Sequence, residues 1–260
     1  MSNSDETLNL QQIIKNMTID LFIPCFIDQL YPDTAWNVVK ILEKAGVEVN
    51  YNPRQTCCGQ PTFNSGYWKE SKNIAQKFIR DFPNDRPIVV PSASCAGYIR
   101  NHYPKLFKDD ASMQDEVNRV CNNVVELTDF LVNHLKKENF EASFHHKVTY
   151  HDACSALREY GIKDEPRRLL SHVEGLEFKE LPENTTCCGF GGTFMVKLVP
   201  VSTAMVEQKV ENALSTGAEY IVSTEASCLL NIQSYIRKHD LPIKTIHIAD
   251  ILACAARMTS

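Results

Sequence analysis

The chain repeats itself, and this internal duplication restricts its fold more than any other feature. The tripeptide Cys-Cys-Gly occurs at Cys57-Cys58-Gly59 and again at Cys187-Cys188-Gly189. One cysteine precedes each pair and another follows each pair at a similar spacing; these four residues are Cys25, Cys154, Cys95 and Cys228. So many features at nearly one offset indicate two structurally equivalent halves.

Short apolar runs alternate with helical patterns in both halves. Residues 18–23 and 147–150 are typical of buried strands, and residues 33–45 have helical spacing that stops at Gly46. The other predicted elements are a helix over 165–173 and strands over 47–51, 87–91, 176–178, 220–223 and 241–248. Helices are also expected to start at Asp129 and Asp250.

Strands that alternate with helices imply parallel sheets covered on both faces. The sequence therefore predicts an α/β fold of two tandem duplicated domains with parallel sheets, each carrying one Cys-Cys-Gly motif and its own core. We place the first cysteine-rich domain at residues 1–140 and the second at 141–260, with a polar break over 136–146.

Composition and charge indicate the environment in which the protein works. Lys and Arg number 27 against 32 Asp and Glu, a net charge of −5, which disfavours nucleic acid or an anionic membrane as the main partner. The polar start lacks a secretory pattern, and no apolar run approaches the ~18 residues that a membrane span needs. We therefore expect a cytoplasmic protein without direct membrane insertion. Thiols stay reduced there, so ten cysteines indicate metal or redox chemistry.

The eight repeated cysteines are predicted to converge four by four. Each single cysteine and each pair comes just after a predicted strand, and ligands of parallel sheets bind beyond the carboxyl ends of the strands. Four thiolates match the usual protein ligands of one iron–sulfur cluster. The candidate ligands are Cys25, Cys57, Cys58 and Cys95 in the first half, and Cys154, Cys187, Cys188 and Cys228 in the second.

The adjacent cysteines favour a cluster over a single zinc ion. Neighbouring side chains in an extended segment point to opposite faces, so both reach one centre only if the backbone turns sharply. Gly59 and Gly189 can take the positive φ that allows such a turn. Zinc ligands are usually two to four residues apart, whereas a cluster offers several iron corners. Zinc and a thiol–disulfide relay remain as alternatives.

Further residues near the motifs are candidates for supporting roles. His151 and Asp152 lie just before Cys154, and Asp152 could orient the histidine or cap the following helix. Arg158 could offset cluster charge, hold an anionic substrate or form a surface ion pair. Cys121 and Cys254 fall outside the repeat and are expected to be inert.

These motifs resemble the cysteine-rich iron–sulfur family defined by a paired Cys-Cys-Gly motif, and the match covers almost the whole chain. The family includes the cysteine-rich component of heterodisulfide reductase, the iron–sulfur component of glycolate oxidase and lactate-utilisation protein A. The short length and the segments 57–61, 94–98 and 227–231 are most similar to the lactate-utilisation members. Where the full family motif ends in Cys-x-x-Cys, the final positions here are Tyr98 and Asn231, so conventional four-thiolate clusters are expected.

The resemblance implies an iron–sulfur electron-transfer component of an L-lactate oxidation system, with one or two 4Fe–4S clusters. It also implies two other lactate-utilisation proteins as partners in a redox complex, one of which could bind the small 2-hydroxy acid. The alternative is a catalytic component of the heterodisulfide or thiol–disulfide reductase type. Nothing after the first strand matches a dinucleotide-binding glycine fingerprint.

Overall fold

The computed structural model describes residues 17–255. The polar start, on which the expectation about targeting rests, lies outside these residues. Two four-stranded sheets are present, and every strand pair in them is parallel. The first sheet has the order β2-β1-β3-β4 and the second has the order β6-β5-β7-β8. The predicted α/β class and the duplication are confirmed.

The strands of each sheet are short. The first sheet contains β1 (Thr18–Leu21), β2 (Glu48–Tyr51), β3 (Ile88–Val90) and β4 (Val124–Glu126). The second contains β5 (Lys147–Tyr150), β6 (Glu177–Glu180), β7 (Tyr220–Ser223) and β8 (Lys244–His247). Strand β4 was not predicted. The predicted domain boundary at 140/141 lies between the sheets and stays a prediction.

The helices connect successive strands. In the first half they are α1 (Cys25–Leu30), α2 (Pro32–Ala45), α3 (Gln60–Asn64), α4 (Trp68–Asp81), α5 (Ala93–Leu106), α6 (Gln114–Asn123) and α7 (Leu127–Asp129), with a 3₁₀ turn at Ala111–Met113 and a π-helical turn at Phe130–His134. In the second they are a π-helical turn (Ala156–Tyr160), α8 (Asp164–Ser171), α9 (Phe194–Lys197), α10 (Val199–Ser215), α11 (Ala226–Lys238) and α12 (Ile248–Leu252). Over residues 17–255, no helix is both long and apolar enough to cross a membrane.

Local sequence explains where these elements begin and end. Pro32 opens α2, and Gly46 ends it with a left-handed φ of 90°, as the sequence predicted. The side chain of Ser92 caps α5 by accepting a hydrogen bond from the backbone N–H of Cys95. This cap fixes the first turn of α5 and places Cys95 directly beyond β3.

Three apolar clusters form the interior, and one of them is shared between the halves. The shared core contains Ile19, Val38, Leu42, Phe130 and Leu131 from the first half and Val148, Tyr150, Leu169, Ile248 and Ile251 from the second. A second cluster belongs to the first half, apart from the partly buried Tyr160, and a third belongs almost wholly to the second. Each half therefore has an apolar cluster of its own, as expected, but the shared core was not predicted; it forms because the faces of α2 and α12 bury one another.

Glu126 at the end of β4 makes stability depend on pH. One oxygen of its buried carboxyl accepts hydrogen bonds from Thr128 and Asp129, while the other has no partner among the described residues. Burial raises the pKa of Glu126 to about 8, against ~4.3 for an unfolded chain. Between these values the folded state binds the extra proton, so its contribution to stability falls as pH rises, by up to ~1.4 kcal/mol per pH unit.

We expect Glu126→Gln to flatten this pH dependence. The free energy of unfolding, measured with urea at pH 5.5 and at pH 7.5, should fall less in the variant than in the unchanged protein. Glu211→Gln, at an exposed position, is the control and should leave the difference unaltered. Equal pH dependence in all three proteins would contradict the assignment to Glu126.

Candidate functional site

Four cysteines of the first half meet beyond the carboxyl ends of three adjacent strands. Cys25 opens α1 after β1, Cys57 and Cys58 lie in the loop after β2, and Cys95 lies in the first turn of α5 after β3. The thiol of Cys57 shares hydrogen bonds with those of Cys25 and Cys58. The sulfurs of Cys58 and Cys95 are 3.4 Å apart. The four sulfurs therefore form one continuous group.

The second half repeats this group with different residues. Cys154 follows β5, Cys187 and Cys188 follow β6, and Cys228 lies in the first turn of α11 after β7. Cys187 shares hydrogen bonds with Cys154 and Cys188, and Cys188 shares one with Cys228. In both groups the second cysteine of the pair and the cysteine on the helix are buried, while the other two are half-buried.

The glycine after each pair turns the backbone and supplies a donor. Gly59 has a φ of +94° and Gly189 has a φ of +83°, a region that favours glycine. The N–H of Gly59 donates to the sulfur of Cys57 at 3.3 Å, and that of Gly189 donates to Cys187 at 3.4 Å. A Cβ on Gly189 would lie 2.6 Å from the carbonyl oxygen of Ser202, so the loop has no room for a side chain there.

Each site stabilises a negatively charged sulfur at its centre. The hydrogen bond from Cys25 lowers the pKa of Cys57, and the hydrogen bond from Cys154 does the same for Cys187. The neighbouring thiol and the glycine N–H lower both pKa values further. Since the thiolate is the form of cysteine that binds metals, these surroundings suit a metal or an iron–sulfur cluster.

Side chains from neighbouring helices hold the two cysteine loops, and sequence reasoning missed them. Ser71 on α4 donates to the carbonyl of Gly59 at 3.2 Å, and Ser202 on α10 donates to that of Gly189 at 2.7 Å. Tyr103 donates to the carbonyl of Cys58 at 2.8 Å. Extending the repeat beyond the cysteines would have aligned Ser71 with Ser202.

Tyr98 and Asn231 occupy the positions where the full family motif has a further cysteine. Each lies one helical turn after a clustered cysteine and is buried. The hydroxyl of Tyr98 is 2.6 Å from that of Ser71, and the Asn231 amide donates to the carbonyl of Cys188 at 2.8 Å. Both residues thus brace the cysteine loops.

His151 is the most unusual polar residue beside the second site. Its side chain is fully buried, and neither ring nitrogen has a hydrogen-bond partner among the described residues. A ring nitrogen of His151 and the sulfurs of Cys188 and Cys228 lie within 4.8 Å of one another. Burial lowers the pKa of His151 to about 3, so the imidazole is neutral and has one N–H.

Asp152 is paired with an arginine and does not orient His151. Its carboxylate, almost fully buried, accepts from the two terminal nitrogens of Arg167 at 3.0 and 2.8 Å. Arg167 also pairs with Glu180 on β6 and lies over the ring of Tyr150. This bidentate pair fixes the segment between β5 and Cys154.

We expect Arg167→Met to lower the free energy of unfolding by about 3–5 kcal/mol, because Asp152 would stay buried without its partner. The matched control is Arg168→Met. Arg168 pairs with Glu138 at a position where about half of the arginine side chain is exposed, so its loss should cost less than about 1 kcal/mol. Urea unfolding measures both. Similar losses in the two variants would contradict a special role for the Asp152 pair.

The remaining candidates lie apart from the sulfur groups or support them indirectly. Arg158 donates to the carbonyl of Thr185 at 3.2 Å, in the loop that leads to Cys187. The thiol of Cys121 donates to the carbonyl of Ile99, and that of Cys254 donates to the carbonyl of Asp250. Burial raises the pKa of Cys121 to about 12, which keeps this thiol protonated.

The two cysteine groups lie beside the contact between the halves. Phe26, next to Cys25, makes an edge-to-face contact with Phe190, two residues after Cys188, with ring centroids 5.5 Å apart. The carboxylate of Glu225 at the start of α11 accepts a hydrogen bond from the N–H of Ser94 at 2.9 Å. The helices that carry Cys95 and Cys228 therefore begin next to each other.

Comparison with known proteins places this duplication in a family. A family model described as a cysteine-rich domain, CCG, matches residues 19–100 and again residues 148–233. The chain belongs to the cysteine-rich domain family. Both matches contain one complete group of four clustered cysteines. Clustered cysteines in this family support metal or iron–sulfur binding.

Curated members of the family are similar over nearly their full length. The chain is 40% identical over 237 residues to lactate utilization protein A 2 of Bacillus cereus (strain Q1), covering 91% of this chain and 98% of that protein. It is 42% identical over 236 residues to lactate utilization protein A of Geobacillus kaustophilus (strain HTA426), with the same coverage. The predicted resemblance to lactate-utilisation members is confirmed.

A solved structure shares the fold at low identity. A hypothetical protein from Helicobacter pylori matches with a TM-score of 0.57 and 13% identity. The match covers 99% of this chain and 54% of that protein, so this chain spans about half of its length.

Proposed function

We propose that the chain is the iron–sulfur electron-transfer component of an L-lactate oxidation system. The observation that carries this proposal is the pair of four-sulfur groups, each gathered beyond three parallel strands and joined to a glycine N–H. The names of the relatives, lactate utilization protein A, supply the substrate class. The proposal includes a cytoplasmic location and two other lactate-utilisation proteins as partners, one of which binds the 2-hydroxy acid.

The chain's own residues would hold one 4Fe–4S cluster in each half. Cys25, Cys57, Cys58 and Cys95 would bind the first cluster; Cys154, Cys187, Cys188 and Cys228 would bind the second. Such clusters accept and release single electrons, and N–H donors near the sulfurs raise their reduction potentials. Gly59 and Gly189 supply such donors, since each N–H already points at a cysteine sulfur.

The position of the two groups supports electron transfer between them. Phe26 and Phe190 contact each other between the two cysteine loops. Glu225 joins the starts of α5 and α11, on which Cys95 and Cys228 lie. These contacts join the loops and helices that carry the two groups.

A second candidate, zinc at the second site, rests on one observation. His151, Cys188 and Cys228 lie close enough to bind a single ion, and imidazole and thiolate are usual zinc ligands. The corresponding position of the first half is Phe22, which cannot bind a metal, so this candidate concerns the second half alone.

Anaerobic purification followed by iron, sulfide and zinc analysis tests the proposal. We expect about eight irons and about eight sulfides per chain, or about four of each if one site stays empty, with broad absorption near ~400 nm. L-lactate should reduce the clusters only when the partner proteins are present, and D-lactate serves as the control substrate. A colourless zinc protein would overturn the proposal, and direct cleavage of a disulfide substrate would favour the reductase alternative.

A further inference from the structure

One pair of positions breaks the symmetry between the two cysteine sites. Phe22 and His151 each lie three residues before the first cysteine of their group. Phe78 and Lys209 each lie seven residues after the serine that holds the cysteine loop, Ser71 or Ser202. All four side chains are buried. A pair of phenylalanines in the first half thus corresponds to a histidine and a lysine in the second.

The first site is lined by aromatic rings at these positions. The rings of Phe22 and Phe78 make an edge-to-face contact with centroids 4.9 Å apart. Both belong to the apolar cluster that includes Cys58 and Cys95. Such a lining has no charge or N–H that could offset negative charge on the sulfurs, and it raises the cost of adding an electron there.

A buried cation occupies the corresponding position near the second site. The ammonium of Lys209 donates to the backbone carbonyls of Glu183 at 2.9 Å and Asn184 at 3.2 Å, in the loop before Cys187. Its side chain is fully buried. Burial lowers the pKa of Lys209 from its usual value, and the nearby charges of Cys188, Asp152, Cys187 and Cys228 oppose that shift. Coulombic attraction between such groups is strong because little water intervenes.

His151 adds a polar group on the same side. A ring nitrogen lies within 4.8 Å of the sulfurs of Cys188 and Cys228, and neither nitrogen has a partner among the described residues. An unpartnered buried imidazole is costly. A ligand at the sulfurs would accept its N–H and remove that cost.

We propose that Lys209 and His151 make the second centre the more oxidising of the two, so that electrons entering the chain at the first centre come to rest at the second. Reduction adds one negative charge, which the Lys209 ammonium and the His151 N–H stabilise and which the Phe22–Phe78 pair does not. This inference rests on the proposed function, because it needs an iron–sulfur cluster at each site.

Redox titration of the loaded protein, followed by electron paramagnetic resonance, tests the inference. Cys188→Ser protein should contain only the first centre, and Cys58→Ser protein should contain only the second. Each midpoint potential can therefore be assigned to one centre. The second centre should have the more positive midpoint in the otherwise unchanged chain. Equal midpoint potentials, or a more positive midpoint at the first centre, would overturn the inference. This measurement needs no substitution at Lys209 or His151.

Substitutions then identify the cause. In Cys58→Ser protein, Lys209→Met should lower the ratio of reduced to oxidised second centre at least tenfold at a fixed solution potential. A tenfold change corresponds to a midpoint lowered by about 59 mV for one electron. Lys209→Arg should keep the ratio, because it disturbs the packing as Lys209→Met does but retains the positive charge. His151→Phe, which copies Phe22, should also lower the ratio, and Lys238→Met at an exposed position should not.

The outcomes separate this inference from the proposed function. Protein without iron and sulfide would overturn both. Protein with two clusters whose midpoints coincide would overturn only the inference. The midpoint of the first centre is measured with and without Lys209→Met in Cys188→Ser protein. A shift as large as that of the second centre would also overturn the inference, because the effect would then not be local.

Discussion

Replacing Cys58 with serine is expected to remove one iron–sulfur centre and leave the other intact. The iron content should fall from about eight to about four per chain, and the absorption near ~400 nm should fall by about half. Cys58 lies in the middle of the first sulfur group, 3.4 Å from Cys95 and hydrogen-bonded to Cys57. A serine hydroxyl stays protonated and cannot replace the thiolate there.

The fold should survive this substitution. Cys58 belongs to the apolar cluster of the first half, outside the shared core, and serine has nearly the same size. Cys188→Ser is the matched variant and should remove the other centre. Cys121→Ala and Cys254→Ala are the controls, because their thiols contact backbone carbonyls away from both groups. Loss of colour in Cys121→Ala with full colour in Cys58→Ser would show that the ligands are assigned wrongly.

Gly189→Ala is expected to have the second-largest effect. The substitution places a Cβ 2.6 Å from a carbonyl oxygen at a φ of +83°, so the loop of Cys187 and Cys188 must move. The left-handed conformation alone costs roughly 1–2 kcal/mol for a residue other than glycine. With the steric overlap added, we expect a loss of about 3 kcal/mol or more in the free energy of unfolding. The number of iron–sulfur centres per chain should fall by half.

Two other glycines of the chain calibrate this expectation. Gly217 has a φ of +68° with open space around it, so Gly217→Ala should show the conformational cost alone and keep both centres. Gly59→Ala should fall in between, because the nearest atom is a side-chain carbon of Ile74 at 3.3 Å, which can shift. A Gly189→Ala protein as stable as Gly217→Ala, with two centres, would refute the role of the tight turn.

Much of the fold follows from the repeat, because strand, loop and helix recur in one order around the cysteines. Strand β4 escaped prediction because its three residues, Val124–Glu126, lie directly between two helices and are too few to show a period. The shared core also escaped prediction. Apolar spacing on α2 shows that one face is buried, but it does not show that α12 covers it.

The cysteines and glycines of the candidate site could be predicted from the sequence. The residues that reach the site only through tertiary packing could not. The ligand assignment itself stays a prediction, although the structure brings each group of sulfurs together. Lys209 lies on a buried helix face, where a lysine in a sequence suggests only a break in the apolar pattern. Its role depends on the carbonyls of Glu183 and Asn184, which are distant in sequence. Arg167 was missed for the same reason, since its partner Asp152 comes from another element.

The core shared by the two halves has a consequence for how such a chain can arise and change. A half expressed alone would leave the apolar faces of its helices open to water, and would have to associate with a second copy or aggregate. The simplest ancestor that keeps these faces covered is therefore a homodimer of one half. In such a dimer one gene encodes both sites, so an aromatic pair and a histidine–lysine pair become alternatives within one molecule only when the two copies are joined in one chain.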